Sequence, residues 1–174
     1  MSEDSKKVKE TLVVKNELLM PNDTNMFNNL MGGKLMYWMD IAAAISAQKL
    51  SNSLAVTASV DNISFRHPIE ISDVVTLTAQ VTRSFKTSME VYIEVVAENI
   101  PNKTKRQTNS AFFTFVAVDK NGKPLKVPQA IPETKREKEL YEGALRRRQL
   151  RLILAGRLKP KDANELKAIF EQKI

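Results

Sequence analysis

Residues 32–45 have the sequence GGKLMYWMDIAAAI, which joins two glycines to a long apolar run and decides the fold. From Leu35 to Ile45 the run contains no Pro or Gly, is rich in Ala, Met and Leu, and is too long for a typical strand. These features predict an α-helix. Because the predicted helix is apolar on almost every side, most of its faces should be buried.

The segments around this helix show the two-residue alternation or the β-branched composition of strands. Five segments are predicted as strands: Thr11–Asn16, Leu54–Phe65, Asp73–Phe85, Ser88–Glu98 and Gln107–Val118. A β-bulge is expected near Asp61-Asn62, and the apolar residues 111–118 indicate a strand inside the sheet. A long apolar helix needs a sheet to cover it, so the predicted fold class is α+β, with an antiparallel sheet wrapped around a central helix.

The chain is predicted to divide into a sheet-and-helix domain over residues 11–130 and a basic helical extension over residues 131–174. Residues 1–10 are charged and polar and are expected to form a flexible tail. Much of the net charge of +7 comes from the extension, where residues 135–157 hold eight basic and three acidic side chains. The basic run 146–151 lacks the interleaved aromatics that stack on nucleic acid, so a solvated helix face or a subunit contact is favoured there.

The composition excludes several kinds of site. The 174 residues contain no cysteine and one histidine, His67, which excludes disulfides, thiolate metal sites and zinc sites rich in histidine. A Ser-His-Asp triad would need His67, but Pro68 restricts its backbone to an extended conformation. No apolar run reaches the roughly 18 residues of a membrane span. Residues 1–10 lack the apolar core of a secretory signal, so a cytoplasmic protein is expected.

Asp40 is the only charged residue between Leu35 and Gln48. A carboxylate on an apolar helix needs a partner, water or a chemical task, because burying it unpaired is costly. Two structural interpretations compete about evenly with catalysis or binding. In one, Asp40 bonds backbone groups; in the other, it faces solvent through a gap in the packing.

Gly32-Gly33 is expected just before the helix, whose free N–H groups and dipole can stabilise an oxyanion at its start. A plain tight turn is the alternative. The helical rise over the seven residues from Gly33 to Asp40 is about 10 Å, so one carbonyl cannot easily contact both. If both act on one bond, a second copy of the chain must supply one of them. Asn25, in a loop rich in Asn, is by itself typical of a turn.

Residues 21–40, PNDTNMFNNLMGGKLMYWMD, resemble the signature of the acyl-CoA hydrolase branch of hotdog thioesterases, which includes the YciA-type and brain-type cytosolic enzymes. The signature consists of an Asn, a Gly three residues later, a Gly-Gly pair, and a helix ending in Trp-Met-Asp. Further matches are VTASVD at 56–61, Phe65 with Pro68-Ile69, TSMEV at 87–91 and FTFVAVD at 113–119. The resemblance covers roughly residues 12–150 and implies a hotdog fold for residues 11–130.

Three positions that usually hold glycine in this family hold other residues here: Asn28, Ser72 and Lys86. Asn tolerates left-handed backbone better than most residues, so the turn at Asn28 is expected to survive. Lys86 would change how the nucleotide end of coenzyme A (CoA) is held, or add a cation for one of its phosphates.

The resemblance implies hydrolysis of acyl-CoA to free CoA and a carboxylic acid without a metal or organic cofactor. Asp40 is implied to be the general base or nucleophile, with Asn25 supplied by the partner subunit and Gly33 at the helix start polarising the thioester carbonyl. The residues implied or suggested to contact CoA are Gly32, Thr57, Ser59, Arg83, Lys86, Thr87 and Ser88, with Arg83 and Lys86 as candidates for its phosphates. The implied assembly is a homodimer, further assembled as a trimer of dimers.

Two other functions stay open at this point. A hydratase or dehydratase on the same fold would pair a His with an acid, and His67 is its sole candidate. The other open function is noncatalytic binding, either of acyl-CoA or of nucleic acid through residues 146–151. Hydration of an enoyl-CoA would separate the first of these from a thioesterase, and a salt-dependent gel shift would test nucleic-acid binding.

Overall fold

The computed structural model of the chain describes residues 4–61, 63, 65 and 67–171. The chain forms two compact units, of which the first ends at Ile131 and the second begins at Pro132. The first unit holds the strands and one long helix, and the second unit is helical. The assignment of a functional domain to residues 11–130 and of an extension to residues 131–174 stays a prediction.

The described part of the first unit contains a five-stranded sheet whose paired neighbours all run antiparallel. The strands, numbered along the chain, are β1 (Ser5–Lys7), β2 (Val13–Leu18), β3 (Leu54–Asp61), β4 (Val74–Ser84), β5 (Ser88–Asn99), β6 (Thr104–Val118) and β7 (Gln129–Ile131). Across the large sheet the order is β2-β4-β5-β6-β3, so β2 and β3 form its edges and β6 lies inside, as its sequence predicts.

Most strand boundaries differ from the predictions by one to four residues; β2, for example, spans Val13–Leu18, and β3 ends at Asp61. Strand β6 begins at Thr104 because its polar first residues continue the pairing with β5, where Lys105 lies opposite Glu98. The bulge in β3 lies between Thr57 and Ser59 instead of near Asp61, and Asn62 lies outside the described residues.

The predicted helix is α1, Gly32–Ser51, and one side of it packs on the sheet. Its buried residues recur at helical spacing: Leu35, Trp38, Met39, Ala42, Ala43, Ser46, Ala47 and Leu50. The facing side chains of β4 are every second residue from Val75 to Val81, all fully buried, as the two-residue period requires. The expectation of burial on most faces is only half right, because Tyr37 and Ile45 are 58% and 43% exposed.

The expectation of a flexible tail is wrong for residues 4–10. Strand β1 pairs in parallel with β7, with Lys6 opposite Ala130. Val8 follows in a short 3-10 turn and is buried in the core. This one apolar side chain anchors an otherwise polar segment.

In the second unit, helix α2 spans Lys135–Leu154 and helix α3 spans Asn164–Glu171. A reciprocal capping box opens α2, since Thr134 Oγ1 accepts from the Glu137 N–H and the Glu137 carboxylate accepts from the Thr134 N–H. The two helices are joined by the N–H of Leu166, which donates to Gln149 Oε1 at 2.9 Å. Over the residues described, no helix combines the length and the hydropathy needed to cross a membrane.

Candidate active site

Asp40 lies in the third turn of α1 and is half-buried. Thr57 of β3 donates its hydroxyl to Asp40 Oδ1 at 2.6 Å. Among the described residues, Thr57 is the only hydrogen-bond partner of the Asp40 carboxylate. The carboxylate therefore bonds a side chain rather than backbone groups, and its Oδ2 is left to accept from a ligand or water.

The bulge in β3 separates two residues that the sequence places together. Thr57 lies opposite Phe115, a fully buried core residue, and so faces the helix. Past the bulge, Ser59 lies opposite Thr114, whose side chain points to the other face of the sheet by alternation. A ligand held by Asp40 and Thr57 therefore does not meet Ser59 on the same face of this sheet.

The Asn25 side chain closes a tight loop before the helix. Asn25 Oδ1 accepts from the N–H groups of Phe27 (2.9 Å) and Asn29 (3.2 Å). The backbone adds bonds from the Asn25 N–H to Asn29 O and from the Asn28 N–H to Asn25 O. Asn28 has φ 59°, a left-handed conformation that Asn tolerates better than most residues, so the turn expected there forms without glycine. With Oδ1 occupied, the Nδ2 amide is the group of Asn25 that can donate to a ligand.

The glycine pair forms the first turn of α1 and does not precede it. The N–H groups of Lys34 and Leu35 both donate to Met31 O, whereas those of Gly32 and Gly33 fall at positions without an intrahelical partner. A β-carbon at position 32 would lie 3.2 Å from Phe65 Cζ, so any larger residue there would press on the Phe65 ring. Gly33 is exposed, and a β-carbon there would meet no atom within 4 Å, so open space adjoins its Cα.

A salt bridge fixes the charge beside this helix start. Lys34 Nζ lies 2.9 Å from Asp23 Oδ1, and the hydrogen bond that Lys34 donates to Asp23 raises the pKa of Lys34. The ammonium group also lies 5.7 Å from the centre of the Trp38 ring. Lys34 is therefore protonated at neutral pH, but the Asp23 carboxylate balances its charge, so the helix dipole is what makes the start of α1 attractive to an anion.

A cavity of about 410 Å³ opens beside the Asn25 loop. Its described lining residues are Asn25, Asn29, Leu30, Gly32, Leu35, Phe65, His67, Pro68, Ile69 and Asn109. Apolar walls with a few amides and one imidazole are typical of a site for a small organic ligand. Asp40 does not belong to this described lining, which agrees with the helical rise of about 10 Å that separates it from Gly33.

Three polar residues of the cavity were not singled out as site residues from the sequence: Asn29, Asn109 and, except for the hydratase alternative, His67. Asn109 is 3% exposed on β6, and a polar residue at a buried strand position is the signal that identifies it. Among the residues described, no group of three or more His, Asp or Glu side chains is arranged to hold a metal ion.

The remaining candidates lie on the β4–β5 hairpin. Its turn is held by the Ala117 N–H donating to Thr87 O (3.0 Å) and the Val127 N–H donating to Lys86 O (3.2 Å). Lys86 is exposed and Ser88 is half-buried, while Arg83 lies opposite Glu90 in the register. None of the described cavity lining comes from this hairpin, so the structure does not join Arg83, Lys86, Thr87 and Ser88 to the Asn25 cavity.

Known proteins share this arrangement of sheet, helix and loop. A sequence model of the thioesterase superfamily matches residues 27–102. The Bacillus subtilis protein named uncharacterized acyl-CoA thioester hydrolase YkhA is 42% identical over 139 residues, 80% of this chain and 81% of that protein. The chain belongs to the thioesterase superfamily.

Solved structures place this thioesterase within the acyl-CoA hydrolase family. An apo-hexameric acyl-CoA thioesterase is 39% identical, with a TM-score of 0.85 over 87% of this chain and 97% of that one. A Staphylococcus aureus acyl-CoA hydrolase, solved with butyryl-CoA, CoA and CoA disulfide, is 35% identical, with a TM-score of 0.80 over 87% and 94% of the two chains. The expected hotdog fold is thereby confirmed.

Proposed function

We propose that the chain hydrolyses acyl-CoA thioesters to free CoA and a carboxylic acid. The observation that carries the proposal is the half-buried Asp40 carboxylate, fixed through one oxygen by Thr57 and open at the other. The name of the Bacillus subtilis relative and the CoA ligands of the Staphylococcus aureus structure support acyl-CoA as the substrate class.

In the proposed reaction, Asp40 Oδ2 takes a proton from a water molecule while the water oxygen bonds to the thioester carbon. The carbonyl oxygen gains negative charge and accepts hydrogen bonds from the N–H groups at the start of α1, where Gly33 is exposed and Gly32 is half-buried. The C–S bond then breaks, and the proton held by Asp40 passes to the CoA thiolate. Direct attack by Asp40 on the carbon is the alternative, in which water hydrolyses the resulting anhydride.

The two groups of residues act on one thioester only if they come from different chains, so we propose that Asn25 and Gly33 of one chain face Asp40 of its partner. Edge strand β3 supports this assembly because Leu54 and Val56 are 60% and 49% exposed on it. Pairing two such edges would bury both side chains and satisfy the open backbone groups. A twofold dimer then holds two equivalent sites. Since the apo neighbour is hexameric, we extend the proposal to a trimer of dimers.

Variants of the Staphylococcus aureus enzyme support the choice of residues. Structures of it were solved with an Asn, an Asp or a Thr replaced by Ala. The Asp of that protein follows the Asn by 15 residues and precedes the Thr by 17, which are also the intervals between Asn25, Asp40 and Thr57. We therefore assign Thr57 to the proposed catalytic group and not only to CoA binding.

For the CoA moiety, we propose contacts with Gly32 and with the β4–β5 hairpin of the chain. Lys86 is exposed at the hairpin turn, where a cation can meet a phosphate, and Thr87 and Ser88 supply hydroxyl and backbone donors beside it. Arg83 and Ser59 are the further proposed CoA contacts. Ser59 would contact CoA only from the face of the sheet opposite Asp40.

The experiment is steady-state hydrolysis of a panel of acyl-CoAs from acetyl to palmitoyl, followed by release of free thiol. We expect turnover of at least one chain length, with a kcat on the order of 1–10³ s⁻¹ as for ordinary enzymes. Absence of turnover with every acyl-CoA, in protein shown to be folded and oligomeric, would contradict the proposal.

A hydratase is the second candidate because His67 lines the cavity with Asn25. The described lining contains no carboxylate, however, and a hydratase pairs His with an acid. The same preparation should therefore leave an enoyl-CoA unhydrated, and His67→Ala should lower thioester hydrolysis by less than about tenfold, below the usual contribution of a general base. Hydration of enoyl-CoA that disappears in His67→Ala would favour the hydratase.

A further inference from the structure

Asp73 is a carboxylate that the proposed reaction does not use, and it is 1% exposed at the start of β4. It accepts three hydrogen bonds. Arg106 Nη2 donates to Oδ2 at 2.8 Å, the Glu70 N–H donates to Oδ2 at 3.0 Å, and Asn99 Nδ2 donates to Oδ1 at 3.1 Å. A buried charge with this many donors has a fixed position, because any movement leaves it unpaired in the protein interior.

The same cluster holds the chain segment that precedes Asp73. Arg106 Nη2 donates to Pro68 O at 3.1 Å as well as to Asp73. The Asp73 N–H donates to Glu70 O, and Ser72 between them has φ 73°, so residues 70–73 form a closed turn around the carboxylate. One guanidinium on β6 thus fixes both ends of the segment from Pro68 to Asp73.

This segment continues directly into the cavity wall. Ile69 O accepts from the Leu30 N–H at 2.8 Å, and Glu70 forms a β-bridge with Asn29. Asn29 in turn donates its N–H to Asn25 Oδ1. The Asp73 cluster and the Asn25 side chain are therefore two ends of one hydrogen-bonded chain that runs along the cavity.

We propose that Asp73, held by Arg106 and Asn99, is a positioning residue for the thioesterase site. It fixes the wall at Pro68 and Ile69 and, through that wall, the Asn25 loop and the start of α1. Neither Asp73 nor Arg106 lines the described cavity, so neither is assigned contact with the substrate. The inference rests on the proposed function in one respect, namely that Asn25 takes part in hydrolysis.

The variants Asp73→Asn and Arg106→Gln test this role. In Asp73→Asn the new amide group must replace one carboxylate oxygen, and both oxygens face donors, so at least one N–H···N–H clash arises in either orientation. Misplacing catalytic groups by about 1 Å can cost on the order of 10²-fold in rate. We expect kcat of both variants to fall by roughly 10- to 100-fold with less than about a threefold change in KM. Arg106→Lys, which keeps the positive charge, should lose less activity than Arg106→Gln.

Lys105→Gln is the matched control. Lys105 precedes Arg106 on β6 and pairs with Glu98 at 3.7 Å, on a surface where both side chains are well exposed. Its loss should leave kcat and KM unchanged, because an exposed pair stabilises little and Lys105 has no contact with the cavity wall among the described residues. An equal fall in kcat in Lys105→Gln would overturn the proposal.

Hydrogen exchange separates this inference from the proposed function, since it needs no substrate. In Asp73→Asn and Arg106→Gln, exchange should accelerate at the N–H groups of Phe27, Asn29 and Leu30 well beyond any change in β5. Uniform acceleration across the sheet would contradict the proposal and leave Asp73 as a residue that only stabilises the fold. Unchanged kcat in folded Arg106→Gln would contradict it too, and this variant provides the test if Asp73→Asn does not fold. If exchange accelerates locally in the variants but the wild-type protein hydrolyses no acyl-CoA, only the proposed function is contradicted.

Discussion

Asp40 and Asp73 are both aspartates shielded by the same sheet, and their surroundings differ in the number of donors. Asp73 is fully buried and has both oxygens occupied by three donors, one of them a guanidinium. Asp40 is half-buried and has one hydroxyl donor on one oxygen, from Thr57. The described residues give Asp40 no cationic partner, whereas Asp73 has Arg106 at 2.8 Å.

The difference supports the proposed division between a structural carboxylate, Asp73, and a chemical one, Asp40. A carboxylate whose oxygens are saturated by donors cannot take a proton without losing those bonds, so it serves as an anchor. A carboxylate oriented by one donor keeps a free oxygen in a fixed direction, which a general base or nucleophile needs. The following variants test this contrast, in order of decreasing expected effect.

Asp40→Ala should lower kcat for acyl-CoA by about 10²- to 10⁴-fold, the usual contribution of a general base. The fold should survive, because the side chain is half-buried and lacks a charged partner among the described residues. Steady-state kinetics with circular dichroism and gel filtration measure both quantities. If the purified variant keeps wild-type turnover, Asp40 is not a catalytic residue.

Asp73→Ala should lower the free energy of unfolding by about 3 kcal/mol, the lower end for breaking a buried ion pair, because Arg106 is itself 30% exposed. Urea denaturation of this variant beside Asp40→Ala measures the contrast. If the two variants lose equal stability, the division into an anchor and a chemical carboxylate is wrong.

Thr57→Val keeps the shape of the side chain but removes the hydroxyl that orients Asp40. A hydrogen bond to a charged group contributes about 1.5–3 kcal/mol, so kcat should fall by roughly 10- to 100-fold while the fold is kept. Thr76→Val is the control, because Thr76 donates to Asn16 on the same sheet and not to a site residue. The assignment of Thr57 fails if both variants keep wild-type kcat.

Ser72→Gly should produce the smallest effect, an increase of about 1 kcal/mol in the free energy of unfolding. Ser72 has φ 73°, and glycine adopts this left-handed conformation without the cost that other residues bear. A rise in melting temperature with unchanged kcat is the expected result. A fall in melting temperature would mean that the serine side chain stabilises the Asp73 turn.

The central helix and the strands could be predicted from the sequence because their signals are local. Apolar residues without Gly or Pro from Leu35 to Ile45 indicate a helix, and the alternation from Val75 to Val81 indicates a strand whose register its own period fixes. The family signature also predicts Asn25, Gly33 and Asp40 as site residues, since their residue types and intervals lie within one stretch of the chain, and their roles stay predictions.

Features that depend on distant pairing could not be predicted in this way. Strand β1 forms because Lys6 meets Ala130 across the length of the first unit. Asp73 and Arg106 are 33 residues apart, and the sequence around each of them does not indicate that they pair. The bulge between Thr57 and Ser59 depends on the pairing with β6. The two residues are two positions apart, which alternation would place on one face, yet they face opposite sides of the sheet.

The central claim is that one chain supplies Asn25 with the helix start and its partner supplies Asp40. Mixing Asn25→Ala and Asp40→Ala chains measures this most directly, after unfolding and refolding them together at equal amounts. In a mixed dimer one site carries both lesions and the other carries neither, so random pairing should restore about a quarter of wild-type acyl-CoA hydrolysis. If activity stays at the level of the separate variants while mass spectrometry shows mixed dimers, each chain builds its own complete site and the claim is wrong.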